Sequence, residues 1–246
     1  SEVYWVSGNT DIVTVDKYGN IKGVKEGQAY VYARARDGKL EAKTSVSVYT
    51  HVGDVSGYIK EKADLEYWKT PPANSIAKDT KVTIRGKCGS YYYVIRNLGK
   101  VNETKGYVKK TNVFVPVTSI SLNYTDVAVN SKNIKTLKAT VSPSIATNKT
   151  VRFSTNNSGL VNIHATNGNF IATGNGTTTL TATAQDGSNK KATCKATGTV
   201  LMKDFWFSAT HVTMFNNQYF NQSWSWIPAN AKNSKLTWWS DTPQLV

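Results

Sequence analysis

A pattern of short strands and turns occurs twice in this chain in the same order and begins a third time near its end. The first copy contains Tyr4-Trp5-Val6-Ser7, Ile12 to Val15, Gly19-Asn20-Ile21, Gly27 and Ala33 to Gly38. The second contains Val151 to Ser154, Leu160 to Ile163, Gly168 to Ile171, Gly176 and Ala182 to Gly187. The third begins with Leu236 to Ser240. Since copies of one pattern must fold alike, the repeat predicts an array of similar modules.

The spacing of the repeat indicates that a second kind of module interrupts it. Phe153 and Trp238 occupy equivalent positions about 85 residues apart, an ordinary length for one β-sandwich domain. Trp5 and Phe153 are about 148 residues apart, so roughly 60 residues remain once one such unit is subtracted. We therefore expect four segments. They are the C-terminal part of one repeat (1–50), an inserted domain (51–116), a complete repeat (117–200) and the N-terminal part of a further repeat (201–246).

Hydrophobic residues alternate with polar ones throughout the chain, which predicts β-strands. Examples are Tyr30 to Ala33, the series Leu137, Ala139 and Val141, and the series Leu180, Ala182 and Ala184. Turn dipeptides such as Asp37-Gly38 and Asp186-Gly187 separate these runs, and no segment shows a sustained helical stripe. The predicted fold class is therefore all-β. In the complete repeat we expect 169–172 and 180–184 to pair as antiparallel strands around Gly174-Asn175-Gly176.

The complete repeat resembles a known family of sandwich domains. Pro143, Ala146 to Lys149, Val151 to Ser154, Val161 to Ile163 and Ala182 to Gly187 follow one another in the order typical of group 2 bacterial immunoglobulin-like domains. Phe153 stands where that family usually has tryptophan. The resemblance implies immunoglobulin-like β-sandwiches in a linear array, interrupted by the inserted domain.

The inserted domain is similar to the bacterial form of the Src-homology-type barrel. The similar segments are Leu65 to Pro71, Lys78 to Val82, Tyr91 to Val94 and Gly106-Tyr107-Val108. Trp68 and Thr70 stand where the family usually has arginine and glycine, so the loop that shapes its groove differs here. The resemblance implies a small, half-open β-barrel of five or six short strands.

The barrel resemblance also implies a ligand, because many members bind peptidoglycan, its peptide cross-bridges or other wall components. Tyrosine and tryptophan suit this role, since the ring packs on a sugar or peptide while its polar edge forms hydrogen bonds. The candidate ligand-binding residues are Tyr67, Trp68, Tyr91, Tyr93 and Tyr107, with Arg96 or Lys109 for an anionic group. Alternation leaves open whether Tyr92 or its two neighbours point into the barrel.

The chain is strongly basic, with 30 Lys and Arg against 16 Asp and Glu and a net charge of +14. This excess attracts polyanions such as anionic wall polymers. Nucleic-acid-binding modules usually concentrate their basic residues on one element. Here the basic residues are spread along the sequence. We therefore expect no nucleic-acid partner. Binding of another polyanion through the net charge would show a steep dependence on salt.

Residues with catalytic or metal-binding chemistry are scattered. Acidic residues lie mainly at turns, and no histidine or cysteine stands in a nucleophilic setting. Two cysteines, Cys88 and Cys194, and three histidines give no metal-binding spacing, and we expect two partly buried thiols without a disulfide. The sequence thus predicts no enzyme, no metal site and no cofactor. It contains no apolar run long enough for membrane insertion, and we expect it to be a piece of a longer, secreted protein.

Together these features predict a non-catalytic segment of a bacterial cell-surface or wall-associated protein, located outside the cell. Immunoglobulin-like units would act as spacers, and the barrel would bind peptidoglycan or another anionic wall polymer. The alternative is a structural or adhesive stalk, or a phage virion appendage, that contacts a host or virion protein.

Overall fold

The structure, a computed structural model, describes residues 3–65, 75–232, 237 and 239–241. Within these residues the chain forms twenty-three β-strands and a single 3₁₀ turn, which confirms the all-β fold. The strands belong to two compact units. The first contains residues 1–116 and 143–148, and the second contains 117–142 and 149–246.

The first unit begins with a partial sandwich of five strands. These are β1 (Val3–Ser7), β2 (Val13–Val15), β3 (Ile21–Gly23), β4 (Gly27–Ala35) and β5 (Glu41–Val48). Strand β4 lies between β1 and β5 in an antiparallel sheet, and β2 pairs with β3. A small core of Val13, Ala29 and Val31, with Trp5 packed against it, joins the two sheets.

A half-open barrel follows in the same unit. Its strands are β6 (Thr50–Ile59), β7 (Ala63–Asp64), β8 (Ser75–Ile76), β9 (Lys81–Cys88), β10 (Tyr91–Arg96), β11 (Thr104–Lys109) and β12 (Val113–Phe114), and a 3₁₀ turn occupies Lys110–Asn112. Five strands form one sheet in the order β11-β10-β9-β6-β12, and β7 pairs with β8. Leu65, Ile84, Val94 and Val108 are fully buried in its core.

A bulge at Arg85 bends the barrel sheet. The register of β9 with both β6 and β10 passes from Gly86 directly to Ile84, which leaves Arg85 outside the ladder. The Arg85 side chain donates two hydrogen bonds of 2.9 Å to the carboxylate of Asp54, and these bonds lower the pKa of Asp54. Arg85 is one extra residue against β10, whereas β6 has three residues, 52–54, opposite it. Bulges increase strand twist, which helps a small sheet to close.

The second unit contains a complete sandwich. Its strands are β13 (Ser119–Leu122), β14 (Asp126–Asn130), β15 (Lys135–Thr136), β16 (Ala139–Ser142), β17 (Val151–Thr155), β18 (Val161–Ile163), β19 (Asn169–Ala172), β20 (Gly176–Ala184) and β21 (Lys191–Thr199). One sheet has the order β14-β21-β20-β17, in which β14 is parallel to β21. The other strands form β15-β19-β18 and the pair β13-β16. Leu137, Phe170 and Leu180 are buried in the core.

The expected pairing of 169–172 with 180–184 is wrong. Strand β19 pairs with β15 and β18, whereas β20 pairs with β17 and β21 in the other sheet. The Gly174-Asn175-Gly176 segment therefore crosses between sheets and does not close a hairpin. Both strands alternate because each has one buried face, and that pattern does not reveal which strands are hydrogen-bonded.

The two sandwich copies share backbone geometry at their glycines. Gly19 and Gly168 have φ angles of +87° and +73°, and each lies against the central aromatic ring of its own copy, Trp5 or Phe153. The aromatic residue also has the same cross-strand neighbour in both copies, an alanine on β4 or β20. The repeat seen in the sequence is therefore a repeat of packing as well.

The C-terminal segment contains the paired strands β22 (Asp204–Phe207) and β23 (Trp224–Ile227). Ala231 donates a backbone hydrogen bond to Pro228, as Ala146 does to Pro143, so the turn of the complete repeat recurs here. Trp238, the expected central ring of this copy, lies outside the described residues. Both cysteines are buried and free, as expected.

Candidate binding surface of the barrel

Strand pairing places four of the candidate residues on one face of the barrel sheet. Tyr91 lies opposite Lys109, and Tyr93 lies opposite Tyr107 in the register of β10 with β11. Tyr92 faces the other way and is only 8% exposed within the barrel core. The alternation left open by the sequence is thus resolved, and Tyr91 and Tyr93 are on the outer face.

The remaining candidates do not join this group. Arg96 ends β10 three positions after Tyr93, so strand alternation assigns it to the opposite face, where it pairs with Thr104. Tyr67 and Trp68 lie outside the described residues.

Tyr49, which is not among the candidates predicted from the sequence, completes the outer face. The ring of Tyr49, the single residue between β5 and β6, is stacked on Tyr93 with centroids 5.2 Å apart, and Tyr93 contacts Tyr107 at 5.4 Å. A Cβ atom at Gly86 would be 2.1 Å from the Tyr49 ring, so glycine is needed beneath it. A glycine inside a strand often marks such a close approach, and Gly86 was the available signal.

Burial at this face changes the ionisation of one tyrosine. Removal from solvent raises the pKa of Tyr107, although a hydrogen bond with the side chain of Ser47 on β5 opposes the shift. Tyr93 and Tyr107 therefore contact the end of the partial sandwich as well as each other. They form part of a joint between the two modules of the first unit.

Glu26 provides the polar part of this joint. Its carboxylate accepts a hydrogen bond of 2.8 Å from the Thr50 hydroxyl and another of 2.8 Å from the backbone N–H of Gly89. These two bonds, the Thr50 bond first, lower the pKa of Glu26. The turn before β4 is thereby tied to the start of β6 and to the β9–β10 turn.

An open cleft of about 620 Å³ lies beside the joint. It is lined by Lys25 to Gln28 from the partial sandwich and by Cys88 to Tyr91 from the barrel. Tyr91 is the candidate residue that lines it. The cleft combines an aromatic ring with ammonium and carboxylate groups and backbone amides, which can bind a polar chain of sugars or peptide.

The Glu26 joint should weaken in acid. Because its folded-state pKa is lowered, the carboxylate stabilises the joint above its unfolded-state pKa, and this contribution is lost as pH falls through the folded-state value. Below about pH 4 we expect the Gly89 amide to lose protection from hydrogen exchange. NMR of that amide between pH 7 and pH 3 measures the change.

Two variants test the assignment of this acid effect. Glu26→Gln should remove most of the pH dependence at Gly89, whereas Glu41→Gln, which alters the exposed ion pair with Arg34, should leave it intact. An unchanged titration of the Gly89 signal in Glu26→Gln would refute the role of this carboxylate.

Metal-ligating side chains and thiols are spread across the described ranges. Within them, no three or more His, Cys, Asp and Glu side chains come together in a group that could hold a metal ion. Burial raises the pKa of the Cys88 and Cys194 thiols, which disfavours the reactive thiolate. No helix among the described residues is long and apolar enough to cross a membrane.

Comparison with solved structures finds repeated β-domains of low sequence identity. Domains 4 and 5 of the S-layer protein SbsC are 12% identical, cover 80% of this chain over 70% of their own length, and give a TM-score of 0.29. A C-terminal 282-residue fragment of intimin, solved with the intimin-binding domain of its receptor, is 14% identical, covers 71% of this chain over 59% of its own length, and has a TM-score of 0.31. Protocadherin gammaB7 EC3-6 is 12% identical, covers 87% of this chain over 69% of its own length, and has a TM-score of 0.32. At these TM-scores the matches carry no functional conclusion.

Sequence comparison gives a family. No curated protein matches the chain. The model of the bacterial Ig-like domain (group 2) matches residues 1–46 and 116–196, which together exceed half of the chain and include both sandwich copies. The barrel between them lies outside the match. The chain therefore belongs to the bacterial Ig-like domain (group 2) family.

Proposed function

We propose that the chain is a non-catalytic segment of a bacterial cell-surface protein, in which Ig-like modules present the barrel to a wall polymer. Peptidoglycan, or an anionic polymer attached to it, is the proposed ligand. The four segments expected from the sequence, with the barrel at 51–116, are part of this proposal.

The open cleft next to Tyr91 is the observation that supports the proposal best. Tyr93 stacks on Tyr49, and Tyr107 forms a hydrogen bond with Ser47 of the preceding module. We therefore assign these two tyrosines mainly to the joint between the modules, and ligand contact is their secondary role. Tyr91 lines the cleft, and Lys109 lies opposite it on β11. A sugar or peptide packed on Tyr91 would have a cation near its acidic groups.

Sedimentation with purified cell walls tests this site. The full chain should sediment with the walls, and Tyr91→Ala should lower its apparent affinity about five- to tenfold, the effect expected for loss of one aromatic contact. Lys109→Gln should produce a smaller loss that disappears at high salt.

Tyr58→Ala is the matched control. Tyr58 is 38% exposed on β6 and pairs with Lys81, at the other end of β9 from Cys88 and the cleft. Its loss removes a similar ring from the same barrel and should leave binding unchanged. If Tyr91→Ala sediments as well as the unmodified chain, or if both tyrosine variants lose affinity equally, the cleft is not the site.

A structural or adhesive stalk is the second candidate function, and the joint favours it. The barrel is connected to the partial sandwich in three ways. Tyr93 and Tyr107 contact residues in or next to β5, the Glu26 carboxylate binds Thr50 and Gly89, and a single residue separates β5 from β6. Such a barrel would act as one more rigid spacer and would make its contacts with proteins. In that case neither the chain nor its variants would sediment with walls.

A further inference from the structure

The two sandwich copies provide an internal comparison of strands β4 and β20. Both strands have a hydrogen-bonded strand on each side, and they pair in equivalent register with β1 and β17, so that Ala33 is opposite Trp5 and Ala182 is opposite Phe153. Their inward positions are similar, with Val31 in one copy and Leu180 in the other. Their outward positions differ completely. Tyr30, Tyr32 and Arg34 on β4 correspond to Thr179, Thr181 and Thr183 on β20.

The outward residues of β4 form a continuous group with their neighbours. The rings of Tyr30 and Tyr32 have centroids 6.2 Å apart at an angle of 48°. The Lys43 ammonium lies 4.8 Å from the centre of Tyr30, and the Arg34 guanidinium lies 5.1 Å from the centre of Tyr32. Tyr4 is opposite Arg34 on β1. We refer to Tyr4, Tyr30, Tyr32, Arg34 and Lys43 as the tyrosine face.

Packing within the fold does not require these aromatic rings. Tyr4 and Tyr30 are 44% and 45% exposed, and the small core of the partial sandwich lies on the opposite side of the sheet. The complete sandwich forms the same strand with threonine at the equivalent positions. Exposed aromatic residues gathered on one face of a sheet are typical of interaction sites.

The size of the face indicates the kind of partner. The face extends over five residues of β4, Tyr30 to Arg34, or about 17 Å, and three strands are about 14 Å wide, so it covers about 240 Å². A stable protein interface buries about 800 Å² on each partner, roughly three times that area. One extended polymer chain can lie along β4 within these dimensions, whereas a folded protein would need surface beyond it.

We propose that the tyrosine face binds a linear glycan, with sugar rings packed on Tyr30 and Tyr32. Tyrosine provides an apolar ring face for the sugar and a hydroxyl group for its polar edge. Lys43 lies over one face of Tyr30 and Arg34, whose Nε–H already donates to Glu41 at 2.6 Å, lies over one face of Tyr32. A sugar would pack on the opposite face of each ring, with the Lys43 ammonium as a nearby hydrogen-bond donor. This site goes beyond the proposed function, since it shares no residue with the barrel cleft.

Calorimetric titration of the full chain with two defined glycans tests the proposal. The probes are a hexamer of β-1,4-linked N-acetylglucosamine and an octamer of alternating N-acetylglucosamine and glucuronic acid, which separate neutral from acidic recognition. At least one should bind. The double variant Tyr30→Thr/Tyr32→Thr should lower the affinity at least tenfold, and it should fold because the sister copy has these residues.

Two further variants make the result specific. Tyr58→Ala, which removes a 38% exposed ring from the barrel outside both proposed sites, should bind these glycans as the unmodified chain does. A quadruple graft, Thr179→Tyr/Thr181→Tyr/Thr183→Arg/Thr193→Lys, should add one glycan site per chain to the stoichiometry, because Thr193 lies opposite Thr181 as Lys43 lies opposite Tyr32.

Three results would overturn the proposal. They are no binding of either glycan, full affinity in the Tyr30→Thr/Tyr32→Thr variant, and an unchanged stoichiometry in a graft whose circular dichroism matches that of the unmodified chain.

Discussion

Gly168→Ala should destabilise the complete sandwich by on the order of 3 kcal/mol. Gly168 has a φ of +73°, a conformation that costs an L-residue about 1–2 kcal/mol. A Cβ atom there would also be 2.3 Å from the carbonyl oxygen of Leu137 and 3.1 Å from the Phe153 ring. Because Leu137 donates its N–H to the Gly168 carbonyl at 2.9 Å, relief of the clash would disturb this bond and the fully buried Leu137 side chain.

Gly187→Ala is the control for this substitution. Gly187 has a similar φ of +87°, but a Cβ atom there would have nothing within 4 Å. It should cost about 1 kcal/mol, the backbone part alone. Native-state hydrogen exchange of β20 and β21 peptides in the full chain measures the opening free energy of the sandwich itself. Equal losses in the two variants would mean that the close packing around Gly168 contributes nothing.

Tyr92→Ala should destabilise the barrel by about 3 kcal/mol, because it removes a large ring from a core that collapses only in part. Tyr92 lies in the same cluster as Ile84 and Val94, and its strand has a hydrogen-bonded neighbour on each side. Desolvation also raises the pKa of its hydroxyl, which is consistent with an inward ring.

Tyr91→Ala changes the adjacent residue on the outer face and should cost less than about 1 kcal/mol. Exchange rates of the β9 and β11 amides distinguish the two variants, since both strands must separate from β10 when the barrel opens. A larger loss of protection in Tyr91→Ala than in Tyr92→Ala would show that the two rings are assigned to the wrong faces.

The sequence was sufficient to predict the architecture where one residue determines one contact. The glycine at 19 and at 168 recurs because only glycine fits beside the central ring in that backbone conformation. The proline-alanine turn at Pro228 recurs for the same kind of reason. Because each such position reflects a local requirement, it can be recognised in the sequence without knowledge of distant contacts. Both the period of the repeat and the all-β class could therefore be predicted.

Contacts between distant segments could not be predicted from the sequence in this way. Strand alternation in 169–172 and 180–184 indicates a buried face, but the hydrogen-bonded partners depend on which sheet each strand enters. Tyr49 is an ordinary strand-forming residue in the sequence, and its position over Gly86 follows only from the way β6 pairs with β9. The sequence could therefore name candidate binding residues, whereas the contacts of Tyr93 with Tyr49 and of Tyr107 with Ser47 could not be predicted from it.

Tyr49 has a mechanical consequence, because it is the only residue between the last strand of the partial sandwich and the first strand of the barrel. Val48 pairs with Gly27 in one sheet, and Thr50 pairs with Lys87 in the other. A pulling force on the chain thus passes from sheet to sheet with no slack segment to stretch first. The connection between the partial sandwich and the barrel should therefore be stiff under tension, and it should lengthen only when the backbone hydrogen bonds of one of these two sheets break.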